Sequence, residues 1–456
     1  MSMRKKSYVL LLFVMIFSLI MAGCGGGADS GNDGGTSENT NENTNTNTNA
    51  NEGSNEPPKE KVEISFWHTY TDADAGPINK VVENFNNSQD SIKVNILGNQ
   101  DPTKQLTAIS GGAAPDVLLT YWNNIGPWAT AGAVLDLSDS IAKDGFDTGA
   151  IIPAAAERMM IDGKFYAMPF TMSMANSLMY NKAAFEEAGI TAPPETLEQL
   201  FEYAKQLTKK DDKGNITKIG FIPDYPWIDN VFWPIIFGGS WYDESTGKVT
   251  PNAPANVESI AYQRSFYEEF GKDQIDKFKS GMGKRGTPQD PLLTGQLAMM
   301  IGWEYNFMPE RAEDGPIGVA PFPYPEAKPE LKGSGMVSPR AVFIPQKAKH
   351  PAEAWEFIKY LMTQDVQVEF SLEAHVIPTV KSALDDQRLY TDENKTMHSF
   401  YERAKSENLN GFPNSPYINE YLQALSEETE KALKGTITPQ EAMDNVAKKI
   451  QPLADK

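Results

Sequence analysis

Cysteine is nearly missing from this chain: Cys24 is the single one in 456 residues. No internal disulfide can form, and a cysteine nucleophile is excluded by count. Histidine is almost as scarce. The four, His68, His350, His375 and His398, lie far apart, and none falls in the H-E-x-x-H spacing that sets two imidazoles on one zinc ion. There is no G-x-S-x-G elbow, no phosphate loop of the G-x-x-x-x-G-K type and no G-x-G-x-x-G after a strand. Neither a metal nor a cofactor is therefore expected. Beyond residue 21 no apolar run approaches the roughly 20 residues that a bilayer demands. Basic residues are outnumbered, 41 Lys and Arg against 61 Asp and Glu, for a formal charge of −20. That balance repels nucleic acid and anionic lipid heads, and gives no support to an anionic ligand unless a buried arginine overrides the mean. The acid excess leaves paired-carboxylate glycoside cleavage open, because spacing in sequence says little about spacing in space.

What is present begins at the N-terminus. Arg4, Lys5 and Lys6 precede an almost wholly apolar run, Val9 to Met21, that ends in Ala22, Gly23 and Cys24. About 13 apolar residues are too few to span a membrane, so residues 1–23 read as a cleaved signal peptide. The pattern Met21-Ala22-Gly23-Cys24 resembles a bacterial lipobox, with Met in place of the usual Leu, and the resemblance implies a diacylglycerol on Cys24. Residues 24–60 are nearly all Gly, Ser, Thr, Asn, Asp and Glu, and such a segment cannot offset its ordering entropy by burial. It reads as a flexible tether with a reach of a few tens of Å. Losing the three leader cations takes the charge from −20 to −23.

The remaining chain is too long for one hydrophobic core and suggests two lobes. Val62 to Phe66 alternates like a strand; Ile78, Val81, Val82 and Phe85 follow Pro77 at helical spacing. Ile92 to Ile96 alternates again, a short helix is expected over Thr103–Ser110, and Pro115 to Thr120 reads as a buried parallel strand. Strand, helix, strand, helix, strand implies a doubly wound α/β sheet. The middle of the chain is more helical: Thr196 to Gln199 spells a capping box before Leu200, Ala204 and Leu207. Later, Ala341 to Ile344 reads as a strand. Pro351 opens a helix with Trp355, Ile358 and Leu361 on one face, and Thr438 to Glu441 spells a second capping box.

Sugars present apolar CH faces ringed by hydroxyls, so a site for them needs aromatic planes beside hydrogen-bonding side chains. Trp67-His68-Thr69-Tyr70 follows the first strand and Tyr121-Trp122-Asn123-Asn124 the third, at the strand ends where open α/β sheets place ligands. Further aromatic and polar groups alternate at Tyr225-Pro-Trp227-Ile-Asp229 and Gly302-Trp303-Glu304-Tyr305. The candidate ligand-binding residues are Trp67, His68, Tyr70, Trp122, Asn123, Trp227, Asp229, Trp303, Glu304 and Arg340; no catalytic residue is expected. His68 either meets a ligand hydroxyl or satisfies nearby backbone, and Arg340 either reaches the cleft or holds a surface ion pair. Trp233 and Trp355 read as structural.

From Val62 onward the motifs, in order, resemble the extracellular solute-binding proteins of the type 1 group that serve ABC importers. The carriers are Ile64 to His68, Pro115-Asp-Val, Gly163-Lys-Phe-Tyr-Ala-Met-Pro169, Met179-Tyr-Asn-Lys182, Pro193-Pro-Glu-Thr196, Leu297-Ala-Met-Met300 and Pro321-Phe-Pro323. The resemblance implies a two-lobe periplasmic-binding-protein-like fold of type II, an α/β architecture. Residues 62–171 with 323–375 would form the N-terminal lobe, and 172–322 with 376–456 the C-terminal lobe. Three hinge crossings are expected, near Met168–Ser177, Ile317–Pro323 and His375–Thr379. It further implies a monomer, lipid-anchored on the outer face of the membrane, that closes on a carbohydrate, an oligosaccharide by preference, and delivers it to ABC permease subunits. In maltose-type relatives tryptophans matching Trp122 and Trp303 stack on sugar rings. Glycerol-phosphate binders share the Phe-Trp-His opening and hold phosphate with Tyr and Arg groups, so Tyr70 and Arg340 keep that solute as the alternative, while Glu304 argues against it. A secreted glycoside hydrolase is the alternative of another class.

Overall fold

The computed structural model describes residues 61–455, apart from 73, 226–230, 244 and 305–314. Eleven strands form one sheet. In chain order they are β1 (Val62–His68), β2 (Ile92–Leu97), β3 (Val117–Tyr121), β4 (Met168–Asn181), β5 (Lys209–Lys210), β6 (Ile216–Phe221), β7 (Leu297–Trp303), β8 (Ile317–Pro321), β9 (Gly335–Phe343), β10 (Ile377–Pro378) and β11 (Leu409–Asn410). Their order across the sheet is β2-β1-β3-β9-β4-β7-β6-β5, with β8 and β10 also on β4 and β11 on β9.

The doubly wound expectation holds at one edge, where β1 runs parallel to both β2 and β3. Toward the middle it gives way: β9 is antiparallel to β3, and β4 is antiparallel to β9 and to β7. Of the five residues of β3, four are buried, as an apolar strand between two covered faces requires. β9 starts six residues earlier than its apolar run suggests. Pro339 fits inside it because β3 has already ended at Tyr121, the partner of Arg340, leaving Pro339 a ladder neighbour on one side only.

β4 joins the two halves of the sheet. Its first half pairs with β9 and its second with β7, while β8 lies along Ser177–Asn181 and β10 along Thr171–Met172. The three expected crossings are thus neighbouring segments of one sheet.

Helices cover the sheet where the apolar spacing says they should. Helix Gly76–Ser88 buries Ile78, Val81, Val82 and Phe85, and helix Pro351–Leu361 buries Trp355, Ile358 and Leu361. The Thr438 capping box is complete, side chain to backbone in both directions. The Thr196 box is half formed: its hydroxyl accepts from Gln199 N at 3.3 Å, but the Gln199 side chain accepts from Glu195 N instead. Trp233 is fully buried with Nε1 donating to Pro223 O, and Trp355 is buried with Nε1 donating to Asp144. Among the described residues no helix is long and apolar enough to cross a membrane. Cys24 lies outside the described residues.

Candidate ligand site

The parallel strands β1 and β3 end beside β9, so sheet geometry alone brings the two aromatic turns together around Arg340. Arg340 stands opposite Tyr121 on β3 and Thr171 on β4. Its guanidinium lies 4.1 Å from the Tyr121 ring centroid and 5.6 Å from that of Tyr70, and Nη1 donates to Thr69 Oγ1 at 3.2 Å. Such stacking on π faces is favourable and keeps the planar fork oriented. Tyr121 is 42% exposed, whereas Arg340, Trp67, Tyr70 and Asn123 are half-buried. The Tyr70 hydroxyl bonds Thr171; burial pushes its pKa up, and the Arg340 charge works against that.

Beneath this cluster sits His68, fully buried at the end of β1. Its ring lies 5.9 Å from Phe66 and 5.7 Å from Tyr70, and neither ring nitrogen has a partner. Gly98 packs so closely that a Cβ there would stand 2.8 Å from His68 Cε1. Burial pushes the imidazole pKa down to about 4. His68 therefore stays neutral near pH 7.

Trp122 and Asn123 open the turn after β3. Trp122 is buried with one ring face covered by Arg158, whose Cζ lies 3.9 Å from the ring centroid. Arg158 fits because residue 411 is glycine: a Cβ there would stand 1.9 Å from Arg158 Nε. Asn414 ties the same place together, accepting from Gly126 N at 3.0 Å and donating to Arg158 O at 2.9 Å. Asn123 Nδ2 donates to Asn419 Oδ1 at 3.2 Å. The segment that supplies Gly411, Asn414 and Asn419 is anchored elsewhere, through Phe412 and Tyr421 packed on Trp241.

At the end of β7, Trp303 is buried opposite Ala175 of β4. Glu304 is buried too. Its Oε2 accepts from Met174 N at 2.9 Å, Oε1 has no partner, and burial pushes its pKa up to about 7. Trp227 and Asp229 lie outside the described residues. Among the described residues no cluster of His, Cys, Asp and Glu could hold a metal ion.

Several residues escaped the sequence reading. Arg158 lies in Ala-Glu-Arg-Met-Met, which carries no motif, and Asn414 lies in Phe412-Pro-Asn-Ser-Pro416, whose turn residues were the only signal. Arg403, from helix Lys395–Arg403, donates to Ser177 Oγ at 3.0 Å and so braces the middle of β4. Thr69 and Tyr121 were in view as members of their aromatic turns but were not selected.

This mixed α/β chain, with aromatic and polar side chains clustered at strand ends, is of the solute-binding class. Residues 68–368 match the bacterial extracellular solute-binding protein family, and the chain belongs to it. A probable ABC transporter-binding protein of Deinococcus radiodurans is 24% identical over 286 residues, 61% of this chain and 66% of that protein. The sn-glycerol-3-phosphate-binding periplasmic protein of Brucella melitensis is 22% identical over 419 residues, 85% of this chain and 92% of that protein. Among solved structures, the cyclic alpha-maltosyl-1,6-maltose binding protein from Arthrobacter globiformis shares the fold with a TM-score of 0.71 and 20% identity, covering 86% of this chain and 99% of its own.

Proposed function

We propose that this chain is the receptor of an ABC importer, lipid-anchored at Cys24, that captures a carbohydrate between two lobes and delivers it to permease subunits without covalent chemistry. The observation that carries the reading is the meeting of aromatic rings with hydrogen-bonding groups where β1, β3 and β9 come together: Tyr70, Tyr121, Thr69 and Arg340. Family membership supports the receptor role, and the structural relative that binds a maltose-based sugar supports the solute class. Closure of residues 62–171 and 323–375 on 172–322 and 376–456 is supported by the bonds Asn123–Asn419 and Gly126–Asn414, which join those two sets. Trp67, Tyr70, Trp122, Asn123, Trp303 and Arg340 would face the solute. Glu304 and His68, both buried, would act from beneath it.

A thermal-shift screen against mono- and oligosaccharides tests the reading. A ligand at 100 times its dissociation constant adds about 2.7 kcal/mol to stability. A shift with one glycan class, without release of reducing ends, is the expected result. Release of reducing ends would make the chain a hydrolase. Silence across sugars with a shift for glycerol phosphate would favour the second reading, which the Brucella relative and Arg340 support.

A further inference from the structure

The arginines of this chain are treated unequally. Arg264 is paired with Glu268 at 2.7 Å, and Arg388 is held by Asp365 and Asp386 at 2.7 and 2.8 Å. Arg340 has no such partner: among the described residues no carboxylate lies within salt-bridge distance, and its one hydrogen bond uses a single N–H of Nη1. A guanidinium carries five N–H donors, so four remain for something else. Arg403 also has no carboxylate among the described residues, but its guanidinium is engaged by the Asn176 amide and the Ser177 and Ser399 hydroxyls. Arg340 stands half-buried, beside a tyrosine that is itself 42% exposed. Asp74 acts electrostatically on Tyr70, not on Arg340 by any bond, and accepts a hydrogen bond from Thr71.

These features are those of an oxyanion subsite. The fork matches the two oxygens of a carboxylate or a phosphate, the tyrosine faces hold it in plane, and no carboxylate among the described residues competes for it. The solvent it shares with the cleft is displaced when a ligand arrives, which strengthens the charge pair. The negative field of the whole chain opposes an anion at long range, and it is screened beyond about 8 to 10 Å in physiological salt. A contact at hydrogen-bond distance is not.

We propose that Arg340, flanked by Tyr70 and Tyr121, binds an anionic substituent of the captured solute, so that the preferred ligand is an acidic saccharide rather than a neutral one. The inference rests on the reading of the chain as a carbohydrate receptor. A carboxylate on a uronic acid unit and a phosphate ester would satisfy the same fork, and the test separates them.

The full-length protein is titrated calorimetrically with matched neutral and uronic-acid di- and trisaccharides and with sn-glycerol 3-phosphate, for the native chain, Arg340→Gln and Arg340→Lys. The native chain should bind the uronate series about 10- to 100-fold more tightly than the neutral one. Arg340→Gln should erase that preference, lowering uronate affinity far more than neutral-sugar affinity, while Arg340→Lys, a point charge without the fork, should fall between. The preference should also shrink as salt is raised. Neutral sugars bound as tightly as acidic ones by the native chain overturn the proposal alone, whatever the variants do. Binding of glycerol phosphate only, lost in Arg340→Gln, retains the oxyanion subsite and removes the saccharide. Binding of none of these probes overturns both this proposal and the receptor reading.

Discussion

Two strand ends can be set side by side. β1 closes on His68 and β7 on Trp303 followed by Glu304, and each end buries one titratable group almost completely. Burial disfavours the charged form of both, with opposite effects on the proton. The imidazole falls to about 4 and the carboxyl rises to about 7. Solvent exposure then separates the groups around them. Arg340 and Tyr121 keep solvent access, whereas His68 and Glu304 are enclosed. Polar residues at the strand ends thus divide into those that solvent reaches and those that it does not.

The largest effects should come from breaking this symmetry. Glu304 binds a proton more tightly folded than unfolded. Its stabilising contribution is full below about pH 4.5, falls as pH rises, and levels off above about 7, a loss of about 3 kcal/mol. Glu304→Gln keeps an oxygen for the Met174 N–H and cannot titrate. Its unfolding midpoint should drop less than the native one between pH 5 and 8, and an unchanged difference would refute the assignment. His68 works in the other direction. It holds its proton less tightly folded, so its contribution is full above about 6.5 and is lost toward pH 4, again by about 3 kcal/mol. His68→Phe keeps a ring of similar size and removes two unpartnered nitrogens. It should hold its midpoint from pH 6.5 down to 4 better than the native chain. Native-like acid sensitivity in that variant would place the titrating group elsewhere.

Packing at the two ends differs as well. An added Cβ at Gly98 would meet His68 Cε1 at 2.8 Å, and at Gly302 it would meet Met179 Cγ at 2.7 Å. The distances match, but a thioether chain can change rotamer while an enclosed imidazole cannot. Gly98→Ala should therefore cost about 2 to 3 kcal/mol and Gly302→Ala about 1, read by urea unfolding. The reverse order would mean that the end of β1 yields more readily than the end of β7.

Much of this was legible in the sequence. Apolar spacing located the helix after β1 and the burial of Ile78, Val81, Val82 and Phe85, because a packed helix face repeats with its turn. The aromatic turns after β1 and β3 were legible because each directly follows an alternating or apolar run that ends there. What stayed hidden was set by contacts distant in sequence. The cover that Arg158 places on Trp122 depends on Gly411 and Asn414, more than 250 residues later. That Glu304 points at Met174 N rather than into solvent follows from the pairing of β7 with β4, which no local pattern announces. The antiparallel course of β9 and β4 was hidden for the same reason.

The smallest effect tests whether the contacts across the two sets of residues belong to solute capture. Asn123 donates to Asn419 at 3.2 Å in an exposed position, and a neutral bond of this kind contributes about 0.5 to 1.5 kcal/mol. If the bond forms only when the lobes meet, Asn123→Ala should weaken ligand affinity about 2- to 10-fold and leave the unfolding midpoint of the ligand-free protein nearly unchanged. Asn252 offers the matched control. Its Nδ2 donates to Asp444 Oδ1 at 2.8 Å, also exposed, but both partners fall within 172–322 and 376–456. Asn252→Ala should leave ligand affinity as it was. An equal loss of affinity in the two variants would reduce the Asn123 bond to an ordinary surface contact, whereas a loss confined to Asn123→Ala ties the turn after β3 to closure on the solute.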